Sequence, residues 1–527
     1  MRGRTRMSGW RRWNLAEGSA RPLIRQPAAD TFSRKARRNA LILGALLLAT
    51  PAAAQDLTLT GAMTHADHQT YREVPFRVPA GTTRLTVEFA YTGKDQKSVI
   101  DLGVRDPQRL RGWSGGNKQS FTISEAEATP SYLPGPLPAG TWKLVMGVPN
   151  LRAGAQARYT AKVFFEHGPS FAGFSAAPVK AGPGWYRGDL HMHTAHSDGS
   201  CLSNRGARVP CPVFKTLEAA HARGLDFIAV TDHNASSQND ALRELAPYFD
   251  DLLLIPGREI TTFQGHANVW GPTGPLDFQL GSPRAPTLAA VQTEVERAGG
   301  LISINHPGQP SGEACMGCGW TVKDTDFSRI QAIEAVNGGS LRLPGGAESV
   351  ISGIPFWEAQ LNAGFRISAV GGSDNHDAGL DPAGGSGIGF PTTVVHATEL
   401  SQPAVLAAIR AGHVFVDITG SRDRRLEVAA ASGARTAEMG DALAAPAGAP
   451  VRVTIHVAHA AGASLSLVGD GPKPKLADAT LGGDDETRSC EVASDGRRHW
   501  LRVDVRGPDG KLWLLGNPIY LNAPAAR

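Results

Sequence analysis

Along the middle of this 527-residue chain, histidines and acids fall just after short apolar runs. In Gly188-Asp-Leu-His191-Met-His193-Thr-Ala-His-Ser-Asp198, the two-residue period of a strand would send His191 and His193 to the same face, where two imidazoles can converge on one cation. Asp198 adds a carboxylate after the turn, and Asp189 shares the face and could orient a ligand from behind. The run Asp226-Phe-Ile-Ala-Val230 ends in Thr231-Asp232-His233, and Leu252-Leu-Leu-Ile255 leads through Pro256-Gly-Arg258 to Glu259. Then come Gly265-His266-Ala-Asn268, Ile304-Asn305-His306-Pro307 and Gly372-Ser-Asp374-Asn-His376. Half of the sixteen histidines lie between His191 and His376, but their placement is the stronger signal, because α/β proteins present reacting groups at strand ends. A chance distribution would scatter them over helices and surface loops, as at His221 and His413.

A mixed imidazole and carboxylate set suits Zn²⁺, Mn²⁺ or Fe²⁺, whereas Mg²⁺ and Ca²⁺ prefer oxygen alone. The candidates outnumber the three or four ligands that one ion needs, so a site holding more than one divalent transition metal is expected. A carboxylate such as Glu259 can bridge ions about 3.5–4 Å apart, and water shared between them loses a proton near neutral pH. The matching chemistry is hydrolysis of an ester by hydroxide, with another ion polarising the phosphoryl or carbonyl oxygen. A Gly-x-Ser-x-Gly unit joining a strand to a helix is absent, so no serine nucleophile is expected.

The elements that must position these groups change character along the chain. From Asp56 to about His167, period-two runs such as Arg84-Leu-Thr-Val-Glu-Phe89 and Tyr159-Thr-Ala-Lys-Val-Phe-Phe165 read as a β-sandwich over residues 55–167. Trp113 and Trp142 could stack on a sugar there, although sandwich cores commonly hold tryptophan. Residues 168–184 form a Gly, Ala and Pro-rich linker. From Arg187 the rhythm becomes strands alternating with helices, with strands ending at Leu190, Val230, Ile255, Trp270, Ile304, Val336 and Val370. Helices are expected over Val213–Arg223, Gln238–Phe249, Ala285–Ala298 and Phe356–Ala363. Such alternation predicts an α/β domain over 185–419 built from parallel β/α units. Strands return after Gly420, predicting a second sandwich over 420–527. No 20–50-residue repeat is present.

These motifs, in this order, resemble the polymerase and histidinol phosphatase (PHP) superfamily, and the chain as a whole resembles its carbaryl hydrolase branch. The resemblance covers roughly residues 185–415, with flanking segments such as Arg111-Gly-Trp-Ser-Gly-Gly116 and Asn517-Pro-Ile-Tyr520 similar to those attached in that branch. It implies a distorted (β/α)7 barrel, flanked by the two sandwiches, with a cluster of two or three divalent transition metals at its mouth. Position by position, it implies His191, His193, Asp198, His233, Glu259, His266, His306, Asp374 and His376 as metal ligands, with Asn268 a polar neighbour of His266. Asp198, Glu259, His306 and Asp374 stand as the catalytic members. The superfamily implies phosphate esters, and the branch implies aryl carbamates or related carboxylic esters.

Cations near Glu259 would favour phosphate. Arg258 is next to it but should face the opposite side of an extended segment, and Arg342 lies in a loop. The polar loops 201–211 and 310–320 follow ligand motifs and are expected to cover the site and set specificity.

Arg34-Lys-Ala-Arg-Arg38, the apolar run Ala40–Ala49 and then Pro51-Ala-Ala-Ala54 read as a signal within a leader over residues 1–54, giving a periplasmic or secreted protein. The apolar run is too short for a stable membrane span. Eleven Lys or Arg against two acids in residues 1–38 turn a whole-chain charge of +4 into about −5 for the rest, so nucleic acid is an unlikely partner. In an exported chain, Cys201 with Cys211 and Cys315 with Cys318 read as loop disulfides, leaving Cys490. A single Cys-x-x-Cys is half of a zinc ribbon, and its redox alternative lacks the usual strand-helix setting. The rival class to a hydrolase is a catalytically silent metal- or glycan-binding periplasmic protein, whose signature would be lost ligands.

Overall fold

The computed structural model describes residues 56–523, apart from 169–173, 314, 382–384, 474–475 and 477. The leader expected over 1–54 lies outside the described residues, as does part of the linker. No helix among the described residues is long and apolar enough to cross a membrane.

Two four-stranded antiparallel sheets form the N-terminal part. One runs in the order Leu57–Thr64, Gln156–Glu166, Arg84–Tyr91, Ser120–Ser124, and the other Tyr71–Val78, Gly140–Asn150, Val99–Arg105, Leu110–Gly115. Alternation decides what faces in: along Arg84–Tyr91, Leu85, Val87 and Phe89 are buried while Glu88 and Ala90 are exposed. Trp142 is fully buried in this core, and its indole N–H donates to Pro138 O at 2.9 Å. Trp113 is half-buried and meets the exposed Tyr71 edge-on, with ring centroids 5.9 Å apart.

The central sheet corrects the expected α/β fold class. Strand accounts for 41% and helix for 13% of the chain, and there are six α-helices among the described residues, so this is not a (β/α)7 barrel. Gly184–Asp189, Phe227–Val230 and the start of Leu253–Thr262 do pair in parallel. Leu253–Thr262 then turns through Phe263-Gln264 into Gly265–Trp270, and a connection so short can only return antiparallel. Gly265–Trp270 is also antiparallel to Leu301–Ile304, after which Ala332–Asn337 and Ser368–Gly372 add in parallel. On the other side of Gly184–Asp189 lie Thr392–Ala397 and Val414–Asp417, both antiparallel. Ser368–Gly372 ends the sheet; beyond it, the isolated bridge Met192–Asn375 joins its continuation to that of Gly184–Asp189. Hydrophobic periodicity gives element type, while pairing direction is set by loop length and tertiary partners.

The C-terminal strands are not a separate sandwich either. Leu512–Gly516 pairs with Val414–Asp417, so the central sheet runs on through His499–Arg506, Ile519–Leu521 and Ala442–Leu443. A four-stranded sheet of Arg435–Glu438, Arg425–Ser432, Pro450–Ala458 and Asp485–Ala493 packs over this extension around Val428, Ile455, Val503 and Leu514. The side chain of Asn517 ties the regions together. Its Oδ1 accepts from Ala369 N at 2.7 Å, and its Nδ2 donates to Ala369 O and Val414 O at 2.9 and 2.8 Å.

Central strands such as Phe227–Val230, Leu301–Ile304 and Ala332–Asn337 are buried at every residue, as expected for a sheet covered on both faces. Helices cover them with one apolar stripe: Leu288–Arg297 buries Leu288, Val291, Gln292 and Val295, and Thr287 caps its start by accepting from Ala290 N. Helix Gln402–Ala411, which the sequence reading did not foresee, starts at the cap Ser401 and stops at Gly412, whose φ of 84° is a left-handed ending.

Candidate metal centre

Gly184–Asp189 continues into the extended segment carrying His191 and His193, both nearly fully buried, with Leu190 and Met192 packed on the opposite side. His193 N donates to Asn375 O at 2.8 Å, and Asp374 N donates to His191 O at 2.9 Å. This zipping brings Asp374 Oδ1 within 3.3 Å of His191 Nε2 and 3.2 Å of His193 Nε2. The turn to Asp198 is built on buried Asp232, which accepts from Thr194 N, Thr194 Oγ1 and Ser197 Oγ at 2.7–2.8 Å. Asp198 Oδ1 then lies 3.6 Å from His233 Nε2 and 3.4 Å from His376 Nε2. Just beyond it, the Cys201–Cys211 disulfide closes a hairpin, and Ser200 N donates to His376 O at 2.8 Å.

Glu259 sits at the middle, fully buried. Its oxygens lie 3.4 Å from His191 Nε2, 3.6 Å from His193 Nε2, 2.8 Å from His233 Nδ1, 3.4 Å from His266 Nδ1 and 3.3 Å from His306 Nε2. The antiparallel register that displaced the expected barrel also delivers His266: Thr261 pairs with His266, and Glu259 with Asn268. All nine residues singled out as ligands thus fall in one cluster, in overlapping groups whose ligand atoms lie within 4.8 Å of one another.

Several neighbours were not foreseen. Glu334, buried inside Ala332–Asn337, has Oε1 2.9 Å from His191 Nδ1, while its Oε2 accepts from His306 N at 2.8 Å and Asn337 Nδ2 at 3.0 Å. A carboxylate only accepts, so Nδ1 of His191 carries a proton and Nε2 is the atom aimed at the cluster. Asn305 Nδ2 donates to Glu259 Oε1 at 2.9 Å. The one available signal for Glu334 was a lone acid in an otherwise apolar run. Asp189 braces backbone rather than an imidazole, accepting from His191 N, Ser373 N and Gly389 N. Asn268 likewise donates to Leu190 O at 3.1 Å. Arg258 is buried, donates to Pro272 O at 3.3 Å, and is held at about 10 by desolvation. His196 turns out to Ser237.

Burial alone would raise the Glu259 carboxyl, but the charge of His191 and hydrogen bonds from His191, His233 and His266 hold it well below the ordinary range. Asp374 behaves the same way, with His191, His193, His306 and His376 overcoming desolvation. His376 is lowered by burial yet lifted further by Asp198 and Asp374, to about 9. His193 goes the other way, down to about 4, chiefly by desolvation. His306 and Asp374 adopt φ of 28° and 51°, left-handed conformations that cost non-glycine residues about 1–3 kcal/mol each.

The contacts of these atoms test whether this set fits cations. His191 Nε2 is buried without a well-formed hydrogen bond, 3.4 Å from Glu259 Oε1 and 3.3 Å from Asp374 Oδ1, and Glu259 Oε2 faces the ring nitrogens of both His193 and His233. Buried polar atoms are ordinarily satisfied by dedicated donors and acceptors, whereas here imidazole nitrogens and carboxylate oxygens crowd one another in groups within 4.8 Å. The mixed nitrogen and oxygen donors fit divalent transition metals.

No family profile matches the chain, and no curated protein matches it. Among solved structures, it is similar to a two-domain protein from Bacteroides vulgatus containing a predicted PHP-like metal-dependent phosphoesterase. That likeness has 19% identity and a TM-score of 0.34, and covers 66% of this chain and 97% of the other. It is also similar to a candidate metal-dependent phosphoesterase from Bifidobacterium adolescentis, with 16% identity and a TM-score of 0.26, covering 36% of this chain and 88% of the other. Both likenesses are distant, so function has to be read from the chain's own side chains.

Proposed function

We propose that this chain is an exported, metal-dependent hydrolase of ester bonds related to the PHP superfamily. The observation that carries the reading is the convergence of six histidines and three carboxylates, Glu259 central and buried among them, from distant segments into one cluster of ligand atoms. Two or three divalent ions would be held by His191, His193 and Asp374, by His233, Asp198 and His376, and by His266 and His306, with Glu259 shared among them. When bound, such ions supply Lewis acidity, acidifying water to near neutrality and stabilising charge on the scissile oxygen. The chain's part is to hold its ligands in place: Glu334 orients His191, Asn305 fixes Glu259, and Asp232 shapes the turn to Asp198. Asp198, His376 and His233 side chains are 58%, 39% and 26% exposed, whereas Glu259 and His193 are sealed, so substrate approaches from the Asp198 side. Two disulfides among the described residues, together with the basic and apolar order of the leader, support export.

The ester class is phosphate or aryl carbamate. Arg258, bonded to Pro272 O and buried, offers a phosphate nothing. Metal-loaded protein assayed on bis-nitrophenyl phosphate and naphthyl methylcarbamate, beside a His191→Ala, His193→Ala double variant, tests the reading. Turnover of either ester by wild type and not by the variant is expected. Wild type that binds metal yet turns over no ester would be a binding protein instead.

A further inference from the structure

Next to the Glu259 cluster, two sulfurs and a ring nitrogen from Cys315, Cys318 and His266 lie within 4.8 Å of one another. The His266 ring faces two ways: Nδ1 is 3.4 Å from Glu259 Oε1, and Nε2 is 3.2 Å from the carbonyl of Met316, between the two cysteines. Cys318 and His266 are buried, Cys315 is half-buried, and Met316 at the loop tip is 71% exposed. The loop is held by more than its disulfide. Gly317 N donates to Ser311 Oγ at 2.9 Å, Thr321 N donates to Gln264 O at 2.7 Å, and the Trp320 ring packs on Gly265, so close that a Cβ there would come within 2.4 Å. These anchors tie the loop to the neighbourhood of His266 through contacts that do not involve the disulfide.

We propose that Cys315, Cys318 and His266 form a redox-gated site for a soft divalent cation of the zinc class, closed as the disulfide and opened by a dithiol. A thiolate of the dithiol attacks the half-buried Cys315 Sγ, the S–S bond breaks, and Cys318 leaves as thiolate. The second thiol of the reductant then displaces Cys315. Two electrons have entered the cysteine pair, and the reductant leaves as its own disulfide. On binding, the cation takes both thiolates, their protons pass to solvent, and His266 Nε2 is the third ligand. The Cys-x-x-Cys spacing supplies two corners of a tetrahedron, and a Cys₂His set leaves the fourth for water. Thiolates favour zinc, cobalt or cadmium over manganese or magnesium. To serve this site through Nε2, His266 must carry its ring proton on Nδ1, where it donates to Glu259. The loop site and the Glu259 cluster therefore compete for one imidazole.

Cobalt tests this with a signal that does not depend on turnover. Wild-type protein, either oxidised or reduced with dithiothreitol that is then removed anaerobically, is titrated with Co²⁺ while sulfur-to-cobalt charge-transfer absorption is recorded. The reduced protein should show the band and the oxidised protein should not, and Zn²⁺ should bleach it. The Cys315→Ser, Cys318→Ser double variant should abolish the band, Cys201→Ser should retain it, and His266→Ala should weaken the thiolate-bound cobalt about tenfold or more. A reduced wild type without the band overturns the proposal. So does a band that persists in the double variant, since it would place the thiolate ligands elsewhere.

Discussion

Glu334 and His191 are joined across the central sheet by a 2.9 Å contact between Oε1 and Nδ1, and the other oxygen of the same carboxylate holds the backbone N–H of His306. One buried acid thus aligns two ligand-bearing segments 115 positions apart in sequence. Glu334→Gln cannot accept through both ends of its side chain, so metal affinity should fall about 10- to 100-fold while the melting temperature stays nearly constant. Calorimetric titration with Mn²⁺ measures it, and unchanged affinity in the folded variant would remove Glu334 from the centre.

Removing metal should lower stability as well as activity. Ions that bind only the folded chain stabilise it by about 2.7 kcal/mol at a hundredfold excess over Kd. Scanning calorimetry of chelated and reloaded protein should show the reloaded form melting higher, with ester hydrolysis returning in parallel. Equal melting temperatures would contradict metal binding at this cluster.

Proton release gives an independent check. His191 and His376 have raised pKa values in the metal-free protein, His376 to about 9, so at neutral pH each must lose a proton before its nitrogen can bind an ion. Affinity should therefore climb as pH rises toward about 9 and fall below it. His193, already neutral above about 4, adds nothing in that window. Titrations in buffers of different ionisation enthalpy should report proton release, reduced by about one in His376→Ala.

Gly372 is where the Ser368–Gly372 strand passes flush against the cluster. A Cβ there would sit 2.3 Å from Glu334 Oε1 and 2.6 Å from His191 Cβ. Gly372→Ala should cost about 1–3 kcal/mol in denaturant unfolding and weaken metal binding together, because relieving the clash moves the pair that aims His191. A variant with wild-type stability and affinity would show that this packing is slack.

How much of this was legible in the sequence depends on which residues spoke through their neighbours. His191, His193, His233, His306 and Asp374 follow apolar runs, and a strand end is a place that sequence can mark. His266 needed the two-residue turn at Phe263-Gln264, which was also the feature arguing against consecutive β/α units. Glu334, Asn305 and Asn337 act by hydrogen bonds to partners chosen by tertiary packing, and no local period encodes such partners. The same limit explains the fold correction: alternation marked most central strands, yet which of them pair, and in which direction, is decided by contacts such as Val414–Asp417 with Leu512–Gly516.

The three hydrogen bonds of the Asn517 amide bear on any attempt to produce a minimal catalytic fragment. Cutting the gene after the last ligand, His376, or even after the helix that follows, would strip the support from Ala369, five residues upstream of Asp374. The tail works as scaffolding for a centre to which it contributes no ligand, and the two portions have to be expressed as one piece or reassembled by complementation.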